Sequence, residues 1–131
     1  MLITQNIDNL HQQTNINKII TLHGNAFEYY CMKCKEKYDK WDKVHCNCGG
    51  LIKPNVILFG ERLNQDDITL AMKVIQDSDL LIVIGTSLLV SPANIICTLQ
   101  NKGEKVLINR DKIPYDYSFD MIINEELNDI F

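Results

Sequence analysis

Four of the five cysteines form two close pairs, Cys31-Met32-Lys33-Cys34 and Cys46-Asn47-Cys48, with a spacer between them long enough for a hairpin. Thiolates at this spacing can surround one zinc ion tetrahedrally, and a closed four-sulfur site is structural because it leaves no position for an activated water. That reading is preferred to four free thiols, and it argues against metal-dependent hydrolysis at the cluster. His45 directly precedes Cys46 and also suits zinc, so the third ligand is open between them, with Cys46 preferred for its thiolate. His23 stands where the apolar run Ile19 to Leu22 stops at a glycine. An imidazole there is a general base or an ordinary structural residue, since it titrates near neutrality but also packs well. Gln5, Asn6 and Asp8 are polar residues at a strand end, suited to turn capping or to a polar ligand. Thr86 and Ser87, just past Gly85, offer hydroxyls and backbone N–H groups to phosphate or ribose oxygens.

Periodicity gives the elements that would position these groups. Ile19 to Leu22 reads as a buried strand, and Leu80 to Ile84 as a second strand buried on both faces that Gly85 breaks. Ile68, Ala71, Met72 and Ile75 recur at helical spacing between Gln65 and Asp77. Pro92 opens another helical pattern with Ile95, Ile96 and Leu99 on one face, and Gly103 lies past its end. Lys105 to Ile108 and Met121 to Ile123 are further strands, and Glu125 to Phe131 is a helix-like tail. Cys97 falls in the apolar helical pattern as a core residue. Helices alternating with strands predict an α/β fold with a parallel sheet, whose ligands bind at the strands' carboxyl ends. His23, Gly85-Thr86-Ser87 and Asn109 are therefore expected on one rim. Residues 24 to 54, rich in cysteine, lysine and aromatics, read as a small zinc-binding β insert between the portions 1–23 and 55–131.

Composition sets the outer limits. A chain of 131 residues with 46% hydrophobic residues supports one modest core plus a small insert. Thirteen basic and seventeen acidic residues give a formal charge of −4, which offers no broad attraction for nucleic acid or an anionic membrane. Lys33, Lys35, Lys37, Lys40 and Lys43 crowd the insert, but Glu36, Asp39 and Asp42 are interleaved with them, so a solvated hairpin face is preferred to a nucleic-acid surface. No apolar run reaches membrane-spanning length and no signal peptide is visible, so a soluble intracellular protein, cytoplasmic or nuclear, is expected. Cysteine pairing of this kind also suits a reducing compartment.

Three fragments in fixed order carry a family resemblance: Thr4-Gln5-Asn6-Ile7-Asp8-Asn9-Leu10-His11, Leu22-His23-Gly24 and Gly85-Thr86-Ser87-Leu88. With the cysteine pairs between them, they resemble the sirtuins, NAD-dependent protein lysine deacylases. The resemblance implies an incomplete Rossmann-like parallel sheet, because the family's Gly-Ala-Gly phosphate loop precedes the Gln-Asn-Ile-Asp motif and this chain begins at Met1. It implies His23 as general base with Asn6 at the ribose as the catalytic pair, and His11 as a packing residue. Gln5, Asn6, Ile7, Asp8, Gly85, Thr86, Ser87 and Asn109 would bind NAD, and Val56, Leu58, Phe59 and Gly60, in a Phe-Gly-Glu segment, would pair with the peptide of an acylated-lysine protein. In that family the second cysteine pair has two intervening residues before Gly-Gly, which keeps His45 in competition with Cys46. The implied chemistry is attack of the acyl-lysine oxygen on the ribose carbon that bears nicotinamide, followed by transfer of the acyl group to ADP-ribose. The 131 residues alone are expected to be inactive. Two alternatives stay open: a catalytically inactive peptide- or partner-binding homologue, and a zinc-stabilised structural or nucleic-acid module.

Overall fold

In the computed structural model, which describes residues 1–114 and 116–130, the chain divides into two compact units, Met1–Ile68 and Thr69–Phe131. No helix among the described residues is long and apolar enough to cross a membrane.

The first unit holds two small sheets. Strand β1 (Leu2–Thr4) pairs in parallel with β2 (Ile19–Thr21), in the register Leu2 with Ile19 and Thr4 with Thr21. A 3-10 turn at Leu10–Gln13 lies in the crossover and buries His11, as the sequence predicts for that residue. Strand β3 (Gly24–Cys31) then pairs antiparallel with β4 (Lys37–Tyr38) on one side and β5 (Ile52–Val56) on the other. Pro54 sits within β5, where a proline normally ends pairing, but the register shifts between Asn25 and Tyr29 on β3, and such an irregularity accommodates the missing donor. The buried centre of this second sheet is Cys31, Cys46 and Ile52, with Tyr29 and Tyr38 packed against it. It contains one aliphatic side chain, too small a core to stand alone.

The second unit is an all-parallel sheet in the order β6 (Leu80–Ile84), β7 (Glu104–Ile108), β8 (Met121–Ile123). Helix α1 (Gln65–Asp77) starts where Asn64 Oδ1 accepts the Asp66 N–H at 2.9 Å, and Asp66 and Asp67 complement the positive end of its dipole. The core joins Val83, Leu88, Leu107 and Ile113, with Leu81, Cys97 and Phe119 against them, which makes Cys97 a packing residue. Helix α2 (Ala93–Ile96) is shorter than the apolar spacing predicts and continues only as a 3-10 turn, Cys97–Leu99. Thr98 Oγ1 donates back to the Ile95 carbonyl at 2.7 Å, a local bond that competes with helix continuation, and the β-branched residues add little propensity. The tail is helix α3 (Leu127–Ile130); Phe131 lies outside the described residues.

One expectation fails on β6. Leu80, Ile82 and Ile84 are 52%, 49% and 46% exposed, so this run is not buried on both faces. β6 is an edge strand of its sheet, and an apolar run there reads like a central strand by composition alone.

Candidate active site and metal centre

His23 leaves β2 through a turn that only glycine can complete. Gly24 has φ +78°, and a Cβ at that position would lie 1.9 Å from the Asn55 carbonyl oxygen, so the backbones of β3 and β5 meet there. The Ile57 N–H donates to the His23 carbonyl at 3.0 Å, fixing the histidine backbone beside the end of β5. Its ring Nδ1 lies 3.3 Å from the Gln5 carbonyl oxygen. The tautomer that donates Nδ1–H to that oxygen leaves the Nε2 lone pair available as a base.

The loop after β1 is held by several bonds. Asn6 N–H donates to Thr4 Oγ1 at 3.0 Å, Ala26 N–H donates to the Ile7 carbonyl at 3.1 Å, and the Leu10 N–H donates to Asp8 Oδ1 at 3.1 Å. Buried Asn25 donates to Asn9 Oδ1 at 3.1 Å and accepts the Phe27 N–H at 2.8 Å, tying this loop to β3. These bonds gather Gln5, Asn6, Ile7, Asp8, His23, Val56 and Ile57 around an open cavity of about 430 Å³. Gln5 Nε2 is buried without a hydrogen-bond partner, a polar atom suited to a ligand acceptor. Asn25 was not singled out by the sequence, because its role comes from contacts across strands and not from a local motif.

The segment after β5 differs from a continuous strand. Strand geometry stops at Val56, and Leu58 to Glu61 turn back, with Glu61 N–H donating to the Leu58 carbonyl at 2.9 Å and Gly60 at φ +88°. Glu61 closes the turn from the other side, accepting the Leu58 N–H at 3.0 Å and pairing with Lys53 Nζ at 2.7 Å through the same carboxylate oxygen. Leu58 and Phe59 are thereby displayed at 60% and 105% exposure. The Lys53 ammonium, together with the Leu58 N–H, holds the Glu61 carboxyl below the usual range. A carboxyl depressed in the folded state stabilises the turn above the unfolded value of about 4.3 and loses that contribution as pH falls through the folded value. In an NMR titration the Leu58 amide is expected to shift with a midpoint below about 4.3, and Glu61→Gln should remove that transition. A Leu58 amide indifferent to acid would contradict this closure.

The four paired cysteines converge as a metal site. Their sulfurs all lie within 4.8 Å of one another, with Cys31 to Cys48 and Cys34 to Cys46 both 3.5 Å apart. Zinc–sulfur bonds of about 2.3 Å require tetrahedral edges of roughly 3.8 Å, so the donor set fits zinc in both chemistry and size. Backbone N–H groups of Lys33 and Cys34 point at the Cys31 sulfur at 3.4 and 3.5 Å, and that of Cys48 at the Cys46 sulfur at 3.4 Å. The Cys34 backbone N–H, followed by that of Lys33, holds the Cys31 thiol down to about 6 against the opposing effect of burial. Gly50 allows the close fit, since a Cβ there would be 2.6 Å from the Cys31 sulfur. Cys46 joins the cluster, whereas His45 is exposed and bridges Leu51. Glu36 reads in the sequence only as one acid of a solvated hairpin face, yet its Oε2 lies 3.3 Å from the Cys46 sulfur and accepts the Tyr38 hydroxyl at 2.9 Å.

In the second unit, Gly85 and Asn109 follow adjacent parallel strands. Gly85 takes φ +59°, and its N–H donates to the Ile108 carbonyl at 3.0 Å. Thr86 Oγ1 and Ser87 Oγ accept the N–H groups of Leu88 and Leu89 at 3.1 and 3.4 Å. Asn109 donates to the Asp111 carbonyl at 2.7 Å and its own carbonyl accepts from Asn124 at 3.0 Å.

Comparison with known proteins places this geometry in a family. The Sir2 family profile matches residues 1–92. An NAD-dependent protein deacetylase of Halalkalibacterium halodurans is 40% identical over 131 residues, covering 95% of this chain and 55% of that protein. One of Clostridium tetani is 40% identical over 137 residues, covering 98% of this chain and 56% of that protein. The chain thus spans just over half the length of the curated relatives it matches. A Sir2 structure with p53 peptide and NAD+ superposes with a TM-score of 0.91 at 36% identity, covering 98% of this chain and 58% of that one. A Sir2 bound to acetylated peptide gives 0.92 at 36% identity, covering 98% and 59%. With the family profile matched over residues 1–92 of 131, the chain belongs to the Sir2 family.

Proposed function

We propose that this chain is part of an NAD-dependent protein lysine deacylase of the sirtuin type, contributing the general base, the nicotinamide side of the dinucleotide site, the peptide-pairing segment and a structural zinc module. The observation that carries the reading is the convergence of Gln5 to Asp8, His23 and Val56-Ile57 on one cavity. Bound dinucleotide supplies an electrophilic ribose carbon there. His23 Nε2 takes the proton of a ribose hydroxyl, and the Gln5 carbonyl keeps the ring in the tautomer that does so. Asn6 orients the ribose beside it. Ile7 and Asp8 meet the carboxamide, whose NH2 suits a carboxylate acceptor. Val56, Leu58, Phe59 and Gly60 receive the backbone of an acylated-lysine peptide, a mode in which main-chain bonds supply affinity and the sequence of the peptide matters less.

By the same family resemblance, Gly85, Thr86, Ser87 and Asn109 are assigned to the dinucleotide, and residues 24–54 to a zinc insert in a Rossmann-like portion made of 1–23 and 55–131. Cys31, Cys34, Cys46 and Cys48 hold the zinc. Nicotinamide alone tests the carrying observation. Titrated into isotope-labelled chain, it is expected to move the amides of Asn6, Ile7 and Asp8 and the His23 ring signals, with Asp8→Ala abolishing the response. Saturating nicotinamide that leaves these signals unmoved would refute the assignment of the cavity.

A further inference from the structure

We propose that Glu36 is a reserve ligand of the metal centre, an oxygen donor that takes a coordination place when Cys34 or Cys46 leaves it. The inference rests on the zinc reading above and adds to the centre a residue that is neither cysteine nor histidine. Glu36 Oε2 lies 3.3 Å from the Cys46 sulfur and 4.0 Å from the Cys34 sulfur, and those sulfurs are 3.5 Å apart. Around zinc, with bonds of about 2.3 Å to sulfur and about 2.0–2.2 Å to a carboxylate oxygen, tetrahedral edges are roughly 3.8 Å between sulfurs and roughly 3.5 Å from sulfur to oxygen. When Cys34 leaves, the Cys46 sulfur and Glu36 Oε2 at 3.3 Å already stand close to one sulfur–oxygen edge of the site.

The carboxylate is held in that position. The Tyr38 hydroxyl donates to the same Oε2 at 2.9 Å, and the Glu36 backbone carbonyl accepts the Cys31 N–H at 2.9 Å. Lys43, with its ammonium 4.9 Å from the centre of the Tyr38 ring, adds a positive charge that acts on Glu36. Once zinc has bound, the neighbouring sulfurs are thiolates that no longer donate to the carboxylate. An anion kept beside them by Tyr38 and Lys43 is then repelled by the full four-sulfur set and attracted to the metal whenever that set opens. Zinc prefers thiolate to carboxylate at such a site, so Glu36 does not displace a cysteine at equilibrium. It captures the three-sulfur state instead. Cys34 and Cys48 are the exposed cysteines of the four, open to an external chelator, and Glu36 stands beside the first of them.

The consequence is kinetic. Zinc transfer from the intact chain to an excess of chelator is expected to slow about tenfold in Glu36→Gln, a substitution that keeps side-chain length and an acceptor for Tyr38, while zinc content stays at one per chain. A second measurement uses cobalt. Cys34→Ala should still bind Co(II), with the charge-transfer absorption of three sulfurs, and adding Glu36→Gln should weaken that binding about tenfold or more. A chain that takes up no metal overturns this inference together with the zinc reading. A chain that loads normally but transfers zinc at the same rate after Glu36→Gln overturns the inference alone.

Discussion

Cys31→Ser is expected to abolish zinc binding and unfold the module built on β3, β4 and β5. Cys31 is wholly buried, two backbone N–H groups point at its sulfur, and its contacts with Cys46 and Ile52 form the centre of that sheet. Burying Ile52 is worth about 1.5–3 kcal/mol. A structural zinc is worth about 10–16 kcal/mol in small domains at neutral pH, so the metal and not the apolar contact decides whether this region folds. Strand β4 has only two residues, and a hairpin with so little partnering is marginal in water. Elemental analysis should find no zinc in the variant, and amide exchange should show protection lost across residues 24–56. Wild-type protection in a zinc-free protein would show that the module stands on side-chain packing.

How far the sequence could be read depended on whether the deciding contacts were local. Helix α1 has the bounds its periodicity predicts because its signals all lie within it or one residue before it: Asn64 as cap, Asp66 and Asp67 in the first turn, and Ala71 and Ile75 facing inward. The strand at Leu80–Ile84 also matches in position, but its burial does not, since nothing in a run of five aliphatic residues says which neighbours it will find. The metal centre was legible from cysteine spacing. That Cys46 and not His45 stands in the sulfur cluster needed the hairpin geometry, in which the backbones of His45 and Leu51 pair as a bridge. Family motifs pointed to His23 and to the segment that holds Ile57 and Glu61, whereas Asn25 was silent and Glu36 read only as one of the acids interleaved with the lysines. Asn25, Ile57, Glu36 and Glu61 each act through a partner on another strand or turn, such as Asn9, His23, Cys46 or Lys53, and no periodicity encodes such a meeting.

The second large effect concerns His23. In a protein made by joining this chain to the portion of the Halalkalibacterium halodurans relative that it does not match, His23→Ala is expected to reduce NAD-dependent deacylation by about 10²–10⁴-fold, the usual contribution of a positioned general base. Zinc content should be unchanged, because His23 is not a member of the sulfur cluster. The loss should appear in kcat more than in peptide affinity, since the contacts proposed for the peptide are Val56 and the turn that follows it. The 131 residues alone contain no Gly-Ala-Gly phosphate loop and are expected to turn over far more slowly, because a base acts only on a ribose held within hydrogen-bond reach.

As proposed, this chain takes part in acyl transfer from lysine to ADP-ribose. The most direct test is to follow three products together by mass spectrometry in the joined protein, given NAD and an acetyl-lysine peptide: nicotinamide, deacetylated peptide and O-acetyl-ADP-ribose. Equal amounts of all three, lost together in His23→Ala, are the predicted result. Deacetylation that releases free acetate and leaves NAD intact, or full turnover after His23→Ala, would contradict it.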